Sequence, residues 1–352
     1  MTNFDEYLRQ SEPHKREKGY AWQTAIGLQA VDGLKPSEYL IETARQHIEG
    51  DITIDEVQER IKNYYQSKTI RTKESEGTEE ADKASANITK LLNEQSFAFT
   101  VAGLTAVHRR IFDGVFKFAG KIRDYNITKK EWVLDGDTVL YVSAPDLRKA
   151  IEYDIEQEKA FDYTDLSLEQ IVNHITKFVS GLWQIHPFGE GNTRTVAVFT
   201  IQYLRSIGFD VENNLFAKHS WYFRNALVRA NYQNVQKGIK RNPEYLERFF
   251  RNLLMGEKNE LRNRLMHIGT EVQSITSEIS KSQIDTLNCT LEEKALLDCI
   301  RKNPQIKQQE MAEQIEKSIA TVKRLTVGLV KKGIIERKNG KRNGFWEVKI
   351  SL

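Results

Sequence analysis

The chain contains one short stretch in which charged and turn-forming residues are concentrated between two apolar segments. Its sequence is Ile185-His186-Pro187-Phe188-Gly189-Glu190-Gly191-Asn192-Thr193-Arg194-Thr195. Residues 171–182 before it carry apolar side chains at helical spacing, and residues 196–204 after it are mostly apolar. Because proline disfavours helical geometry at the preceding residue, the first helix should end at His186. The stretch is therefore predicted to connect two buried helices, and the fold class to be mainly α.

The residues of this connection suit an anion. Gly189 and Gly191 allow a tight turn, and the first N–H groups of the second helix have no acceptors within the helix. These groups point at whatever fills the loop, which makes an anion cradle. A P-loop needs a strand followed by a Gly-rich turn that ends in Gly-Lys-Ser/Thr. This stretch has no such lysine and follows a segment predicted to be helical, so a P-loop is excluded. A zinc-binding helix is excluded because His186 has no second histidine four residues away.

Two interpretations of the connection remain. One is a structural turn with a hydrogen-bonded histidine, although such a turn would not require Glu190, Asn192 and Arg194 together. The other is transfer from a nucleoside triphosphate, which uses all of them. Asn192 and the helix amides would then hold phosphate oxygens, and Glu190 would bind Mg²⁺. Arg194 would neutralise the leaving phosphates, and His186 would accept a proton from an attacking hydroxyl.

The same residues resemble the signature of the Fic family, HxFx(D/E)GNGRxxR. Residues 186–194 depart from its first nine positions only at Thr193, where the signature has glycine. Residues 118–123, Phe-Ala-Gly-Lys-Ile-Arg, and the segment after them resemble the family's lead-in and target-docking flap. The resemblance covers roughly residues 85–250.

This resemblance implies a helical Fic fold and transfer of AMP from ATP to a Ser, Thr or Tyr hydroxyl of a protein. His186 would be the catalytic base, Glu190 the Mg²⁺ ligand and Phe188 a buried anchor of the loop. The residues implied in ATP binding are Gly189, Glu190, Gly191, Asn192, Thr193, Arg194 and Thr195. Tyr222 lies in a ring-rich segment, where it is either a core residue or a wall for the planar base.

A second departure falls on the last arginine of the signature, which is Ala197 here. In the family that arginine clamps distal phosphates and pairs with the glutamate of an inhibitory (S/T)xxxE(G/N) motif. Residues 72–77, Thr-Lys-Glu-Ser-Glu-Gly, match that motif, so Thr72, Glu76 and Gly77 are implied to be inhibitory. Glu76 must then contact Arg194 or an amide, or repel the γ-phosphate. By composition alone, this acidic segment would be a solvated helix face.

Residues 45–65 also resemble a small Fic antitoxin module, in which Thr53 or Asp55 is placed to cap a helix. An inhibitory region within the same chain is therefore expected. A second activity is kept as an alternative, namely removal of AMP from a modified protein with Glu76 positioning a water molecule.

The segment 127–142 carries the strongest β signal before residue 330. Asp135-Gly136 lies between two β-prone runs, a pattern typical of a hairpin turn. A lone hairpin is marginally stable, so it should lie on the helical body and expose an edge. We expect the protein substrate to dock on this hairpin.

The residues after 289 predict three helices followed by a hairpin, which resembles a winged helix-turn-helix. Basic residues on or near the third helix and in the wing suit contact with DNA. They are Lys317, Thr321, Lys323, Arg324, Lys338, Lys341 and Arg342. Two alternatives stay open, a protein-binding or dimerising winged helix with solvated lysines, and a transcriptional regulator in which the Fic body senses a nucleotide.

The sequence suggests four regions, namely an inhibitory helical region over 1–84, a catalytic domain over 85–255, a helical connector over 256–288 and the winged helix over 289–352. A net charge of +3 across 352 residues means that any nucleic-acid site must be local. Cys289 and Cys299 are interpreted as small apolar residues. No apolar run approaches the roughly 20 residues that span a bilayer, so a cytoplasmic protein is expected. Whether the chain forms a homodimer is left open.

Overall fold

The structure, a computed structural model, describes residues 4–9, 12–67, 72–211, 214–269, 291–315, 317–331, 334–338 and 344–348. The chain divides into two compact units, Met1–Glu271 and Val272–Leu352. None of the helices in the described ranges is long and apolar enough to cross a membrane.

The first unit is helical. Its helices are α1 (Asp5–Leu8), α2 (Pro13–Gln29), α3 (Glu38–Glu49), α4 (Ile54–Gln66), α5 (Lys73–Leu92), α6 (Val101–Ile111), α7 (Leu147–Lys159), α8 (Leu168–Ile185), α9 (Asn192–Ser206), α10 (Leu215–Asn231) and α11 (Glu244–Leu254). Short 3₁₀ turns lie at 30–32, 132–134, 144–146 and 263–266. The predicted pair of buried helices on either side of the motif is α8 and α9.

Helix α9 occupies the centre of the first unit. Every side chain from Asn192 to Leu204 is buried, so the helix is surrounded on all faces. The indole Nε1–H of Trp183 on α8 donates to Thr193 Oγ1 at 3.0 Å and ties the two helices together. Ala197 is fully buried in the same core. The last residues of the motif therefore lie inside this buried helix.

The N-terminal helices pack onto this body through a close backbone contact. A Cβ added to Gly27 on α2 would lie 2.3 Å from the carbonyl oxygen of Ala217 on α10, so only glycine fits there. Ser220 Oγ donates to the Gly27 carbonyl at 2.6 Å across the same contact. This contact holds the end of α2, and the 3₁₀ turn after it, beside α10.

A buried carboxylate organises helices α3, α4 and α5. Asp82 on α5 is fully buried and accepts from the Ser37 amide at 2.8 Å and from the Tyr65 hydroxyl at 2.7 Å. Ser37 in turn caps α3 by accepting from Leu40 N. Helix α4 begins with the predicted cap, Thr53, in a capping box with Glu56. The acidic segment is thus not simply a solvated face.

The predicted hairpin over 127–142 is only partly confirmed. Asp135 and Gly136 both have positive φ, 54° and 82°, and Asp137 N bonds Leu134 O at 3.0 Å, as in a two-residue hairpin turn. No strand ladder flanks this turn, so the expected two-stranded flap is wrong. Trp132–Leu134 forms a 3₁₀ turn because Val133 and Leu134 are drawn completely into the core. We call residues 125–142 the flap loop.

Helix α5 passes through the predicted boundary at residue 84, and part of the predicted connector is packed. Met266 and Ile268 lie in the core of the first unit, and Tyr245 Oη on α11 donates to the Leu265 carbonyl at 2.7 Å. Residues 270–288 of that connector lie outside the described residues.

The second unit has the predicted order of three helices and a hairpin. They are α12 (Leu291–Lys302), α13 (Gln308–Gln314), α14 (Ile319–Lys331), β1 (Ile335–Lys338) and β2 (Phe345–Val348). The strands are antiparallel and pair Ile335 with Val348. Cys299 is buried in this unit's own core and is a free thiol, as predicted, whereas Cys289 lies outside the described residues.

Candidate active site

His186 ends helix α8 in the left-handed conformation, with φ 53° and ψ 57°. The proline after it disfavours the helical alternative, as the sequence predicts. The imidazole is enclosed by the rings of Tyr141 and Trp183, at centroid distances of 4.2 and 5.2 Å. Burial lowers the pKa of His186 well below its usual range, and the positive charge of Lys129 lowers it further. The ring is therefore neutral at physiological pH.

The two nitrogens of the His186 ring differ in their contacts. Nδ1 lies 3.4 Å from the Trp183 carbonyl, whereas the buried Nε2 finds no hydrogen-bond partner among the described residues. An unpartnered buried nitrogen is costly in a purely structural histidine. A neutral imidazole with a free nitrogen is what a proton acceptor requires.

The loop between His186 and α9 is closed by its own side chains. Asn192 Nδ2 donates to the Phe188 carbonyl at 2.7 Å, and Asn192 Oδ1 accepts from Phe188 N at 2.9 Å. The ring of Phe188 is buried, as predicted for a loop anchor. Thr195 Oγ1 donates to the Gly191 carbonyl at 2.9 Å. The side chains of Asn192, Thr193 and Thr195 thus hold the loop and helix start, which leaves the amide groups of the first turn to face a ligand.

Two residues that the sequence analysis did not select fix this loop from outside. His108 on α6 stacks on Phe188 at 3.8 Å, accepts from Gly120 N at 2.7 Å, and meets the Glu190 carbonyl at 3.1 Å. Arg123 donates through Nε to the His186 carbonyl at 2.9 Å and through Nη2 to the Val142 carbonyl at 2.6 Å. Residues 118–123 were recognised as a lead-in, but nothing in their spacing shows that Arg123 reaches the motif.

A cleft of about 730 Å³ lies beside the loop and contains Glu190 and Arg194. Its other lining residues come from the end of α2, from α5, from the flap loop and from α10. They are Ala30, Val31, Asp32, Gly33, Leu34, Glu80, Lys130, Glu131, Trp132, Trp221 and Arg224. The tertiary structure therefore places the N-terminal region and the flap loop on the same cleft as the motif.

Glu190 has the properties of a single metal-binding carboxylate. Burial alone would raise its pKa, but the Lys129 ammonium, 2.7 Å from Oε1, leaves it lowered. Among the residues described, no group of three or more His, Cys, Asp or Glu side chains is arranged to hold a metal ion. Mg²⁺ in phosphate sites is commonly held by one or two carboxylates plus the phosphates themselves. Glu190 fits a magnesium ion of that kind once Lys129 releases one oxygen.

Arg194 is completely buried and its guanidinium is engaged by the N-terminal region. It lies 2.9 Å from Asp32 Oδ2 and 2.5 Å from Glu80 Oε1, and it donates to Gln29 Oε1 at 2.8 Å. The guanidinium also lies over the Phe112 ring, 4.7 Å from its centroid. The expected phosphate binder is thus held by carboxylates of the same chain.

The carboxylate on Arg194 belongs to Glu80, one helical turn beyond the predicted Glu76. Thr72 caps α5 by accepting from Ser75 N, and Gly77 faces Leu34, which a Cβ would approach to 3.3 Å. Glu76 is exposed and lines a neighbouring cleft of about 950 Å³, which Glu80 also borders. The expected contact between Glu76 and Arg194 is therefore replaced by one from Glu80.

The structure supports the core interpretation of Tyr222 and not its assignment to ATP binding. Its ring is buried and its hydroxyl donates to the Tyr245 carbonyl at 3.1 Å, so it belongs to the core. Its neighbour Trp221 lines the cleft, together with Trp132 of the flap loop. Helical geometry turns successive residues about 100° apart, so a shift of one position moves a ring from the cleft to the core.

In the second unit, the predicted basic residues differ in their surroundings. Lys323 and Arg324 are exposed on α14, where Thr321 is half-buried. Lys317 lies 2.9 Å from Glu292, and Lys338 lies 3.2 Å from Glu336. Lys341 and Arg342 lie outside the described residues.

Comparison with known proteins identifies both units. Residues 98–204 match the Fic/DOC family, the segment that holds His186, Glu190 and Arg194 in this geometry. We call residues 98–204, which this family model matches, the Fic domain. Residues 289–344 match the MarR family, in agreement with the winged helix of the second unit.

The Fic domain also has a curated relative. A protein adenylyltransferase of Bartonella henselae is 25% identical over 226 residues, which cover 58% of this chain and 39% of that protein. This chain therefore matches about two fifths of that relative's length.

Two solved Fic structures are similar to this chain. A Fic family protein from Desulfovibrio desulfuricans G20 has a TM-score of 0.44 at 12% identity, over 99% of this chain and 94% of that one. The N-terminal Fic domain of a Bartonella quintana effector, solved with bound ADP, has a TM-score of 0.42 at 20% identity, over 53% and 87%.

Proposed function

We propose that this protein transfers AMP from ATP to a hydroxyl group of a protein, and that its own N-terminal region restrains the reaction. The observation that carries the proposal is the neutral, buried His186, whose Nε2 is unpartnered, beside a cleft that contains Glu190 and Arg194. The Fic domain and the relative named a protein adenylyltransferase support it.

The chemistry follows from these groups. The hydroxyl of the target gives its proton to His186 Nε2 while its oxygen bonds to the α-phosphorus of ATP. The bond from that phosphorus to the bridging oxygen breaks, and pyrophosphate leaves with the electron pair. Arg194 and the first amides of α9 would stabilise the charge that develops on the phosphates. Mg²⁺, when bound at Glu190, would neutralise phosphate charge and orient the chain of phosphates.

The restraint follows from the contacts of Arg194. Asp32 and Glu80 lie against the Arg194 guanidinium, where a phosphate would have to bind, and the two carboxylates repel a phosphate. Both residues lie before the Fic domain, in α5 and in the turn after α2. This proposal keeps the predicted inhibition by the N-terminal region and assigns the contact to Glu80, whereas the role implied for Glu76 stays a prediction.

The test uses ATP labelled in its α-phosphate, Mg²⁺ and the purified chain. We expect Glu80→Gln to label itself or a protein from a cell extract, and Glu80→Gln with His186→Ala to lose this labelling by about 10²–10⁴-fold. Equal labelling with and without His186 would rule out transfer by this histidine. Release of AMP from a previously labelled protein would instead favour the reverse activity.

A second candidate function, DNA binding by the second unit, is favoured by the match of residues 289–344 to the MarR family. The exposed Lys323 and Arg324 lie on α14, the third helix, which corresponds to the recognition helix of a winged helix-turn-helix. The two functions would use different units of the chain.

A further inference from the structure

Two arginines from different helices, the buried Arg194 and the partly buried Arg224, lie against the two oxygens of one carboxylate in the cleft. Arg194 Nε lies 2.9 Å from Asp32 Oδ2, and Arg224 Nη1 lies 3.2 Å from Asp32 Oδ1. The side chains of Arg194 and Arg224 are 0% and 14% exposed, and that of Asp32 is 18% exposed. Planar guanidinium groups suit the oxygens of a carboxylate and of a phosphate alike. The pair would therefore hold a phosphate group equally well.

The two arginines are fixed more firmly than the carboxylate between them. Arg194 is on α9 and Arg224 is on α10, and Arg224 also holds both oxygens of Glu131, at 3.1 and 3.0 Å. Asp32 ends a three-residue 3₁₀ turn, and a Cβ on the following Gly33 would meet nothing within 4 Å. Both guanidinium groups are thus carried by long helices, whereas Asp32 lies on a short turn, in which the Val31 carbonyl accepts from Arg224 Nη1 at 3.0 Å.

The charges in the cleft lead to the same conclusion. Three cationic side chains line it, and they face four carboxylates, Asp32, Glu80, Glu131 and Glu190. A nucleoside triphosphate brings further negative charge, which a surplus of carboxylates repels. Withdrawal of Asp32 and Glu80 would free Arg194 from both carboxylates, and it would free Nη1 of Arg224 from Asp32 while Nη2 still holds Glu131. A second guanidinium from α9 is not available, because position 197 is a fully buried alanine.

We propose that Arg224 is a second phosphate-binding residue of the nucleotide site, and that Asp32 occupies the position at which Arg194 and Arg224 hold a distal phosphate. The inference rests on the proposed function, because it assumes that the cleft binds a nucleotide. It adds that the site selects a triphosphate over a monophosphate through Arg224, which lies outside residues 98–204. Asp32 then competes directly with the distal phosphate.

The experiment measures equilibrium binding of ATP and AMP, with Mg²⁺, to the full chain by calorimetry. Every variant carries His186→Ala to prevent turnover and Glu80→Gln to release the other carboxylate. We expect Asp32→Asn to tighten ATP binding by about tenfold or more, because it removes a charge while keeping the side chain's shape. AMP binding should change by less than about twofold, since AMP has no distal phosphate.

Adding Arg224→Gln to Asp32→Asn should then weaken ATP binding by about tenfold or more and leave AMP binding nearly unchanged. Lys130→Gln is the matched control, because it removes one positive charge from an exposed side chain that lines the same cleft. If Arg224→Gln does not fold, Arg224→Lys is used instead. It keeps the charge but lacks the planar guanidinium group, and it should weaken ATP binding more than AMP binding.

The outcomes separate the two proposals. Binding of neither nucleotide to the Asp32→Asn chain would overturn the proposed function, and this inference with it. Binding of both, with no ATP-selective effect of Asp32 or Arg224, would overturn this inference alone. The same holds if Lys130→Gln reproduces the loss seen with Arg224→Gln, because the loss would then reflect the charge of the cleft alone.

Discussion

Single side chains decide the electrostatics of the cleft. Arg194 is fully buried and balanced by Asp32 and Glu80, so removal of one carboxylate leaves part of its charge uncompensated. Breaking such a buried pair commonly costs about 3–5 kcal/mol of folding free energy. A phosphate that binds Arg194 can supply the missing charge. Restraint and phosphate binding thus compete for the same guanidinium.

The first prediction compares two glutamates on α5. We expect Glu80→Gln to increase the rate of self-labelling from ATP by about tenfold or more, because it frees one side of Arg194. Glu76→Gln should change the rate by less than about twofold, since its side chain is exposed and lies one turn away. The initial rate of label incorporation measures both. Activation by Glu76→Gln alone would show that the motif at 72–77 acts as the resemblance implies.

The second prediction concerns His108 and acid. Burial lowers the pKa of His108 to about 4, although its bond to the Glu190 carbonyl opposes the shift. The unfolded chain keeps a histidine pKa near 6.5, so it binds more protons than the folded chain between these values. The contribution of His108 to the free energy of unfolding is therefore complete above pH ~6.5 and decreases as the pH falls towards 4.

Between pH 7.5 and pH 5, this ring should account for a loss of about 2 kcal/mol in the free energy of unfolding. Urea unfolding of the chain and of His108→Gln at the two pH values measures it. We expect the variant to be less stable at pH 7.5 and to lose less stability on acidification. If the unfolding free energies of both chains depended on pH in the same way, the assignment of this loss to His108 would be wrong.

Among local elements, the start of α9 depends on two glycines for different reasons. Gly191 has φ 75°, and a Cβ there would lie 2.2 Å from the Phe112 ring. Gly189 has no positive φ, and its Cβ would overlap with the Tyr125 hydroxyl at 2.6 Å and reach the Phe118 ring at an ordinary contact distance of 3.7 Å. The Tyr125 side chain is 55% exposed and can move. The signature accepts any residue at Gly189 but has glycine at Gly191, in agreement with what the structure tolerates at each position.

The third prediction follows from that difference. Gly191→Ala should destabilise the chain by about 2–5 kcal/mol, through the left-handed backbone and the overlap with a buried ring. Gly189→Ala should cost less than about 1 kcal/mol, because the exposed Tyr125 hydroxyl can move aside. Thermal and urea unfolding of the two variants compare them. Equal destabilisation would show that the Phe112 contact is not what requires glycine.

The flap loop shows that a local turn signal does not by itself predict the strands beside the turn. The Asp135-Gly136 turn forms as its residues dictate, because Asp and Gly accept positive φ. The strands beside it do not form, because burial of Val133 and Leu134 outweighs the β propensity of the run. The loop instead presents Trp132 to the cleft and leaves Leu140 85% exposed. This exposed surface remains the predicted docking place for a protein substrate.

For the molecule as a whole, two units with separate cores carry two proposed functions. The fourth prediction tests the second unit within the full chain. We expect binding to duplex DNA that weakens with salt, and we expect Lys323→Glu with Arg324→Glu to weaken it and to reduce the slope of log affinity against log salt by about 2. Arg301→Glu with Lys302→Glu, both exposed at the end of α12, makes the same charge change as a control.

Equal losses from the two double variants, measured by fluorescence anisotropy at several salt concentrations, would indicate a diffuse electrostatic effect and not a recognition helix. Absence of DNA binding at low salt would favour the protein-binding alternative for this unit.

Local sequence determined a large part of this protein. The proline after His186 ends α8, the apolar run from residue 196 forms α9, and Thr53 caps α4 as predicted. The order of helices and strands in the winged helix is also as predicted. Each of these depends on residues only a few positions apart, so periodicity and capping are sufficient to predict them.

Only the tertiary structure decided which distant side chains meet in the cleft. Asp32, Glu80 and Arg224 are 162, 114 and 30 residues from Arg194 along the chain. Their positions follow from the close packing of Gly27 on α10 and the buried Asp82, not from any local pattern. Neighbouring acidic side chains on α5 look alike in sequence, yet packing buries Asp82, pairs Glu80 with Arg194 and leaves Glu76 in solvent. The motif sequence thus specifies the chemistry, and long-range packing selects the carboxylates that restrain it.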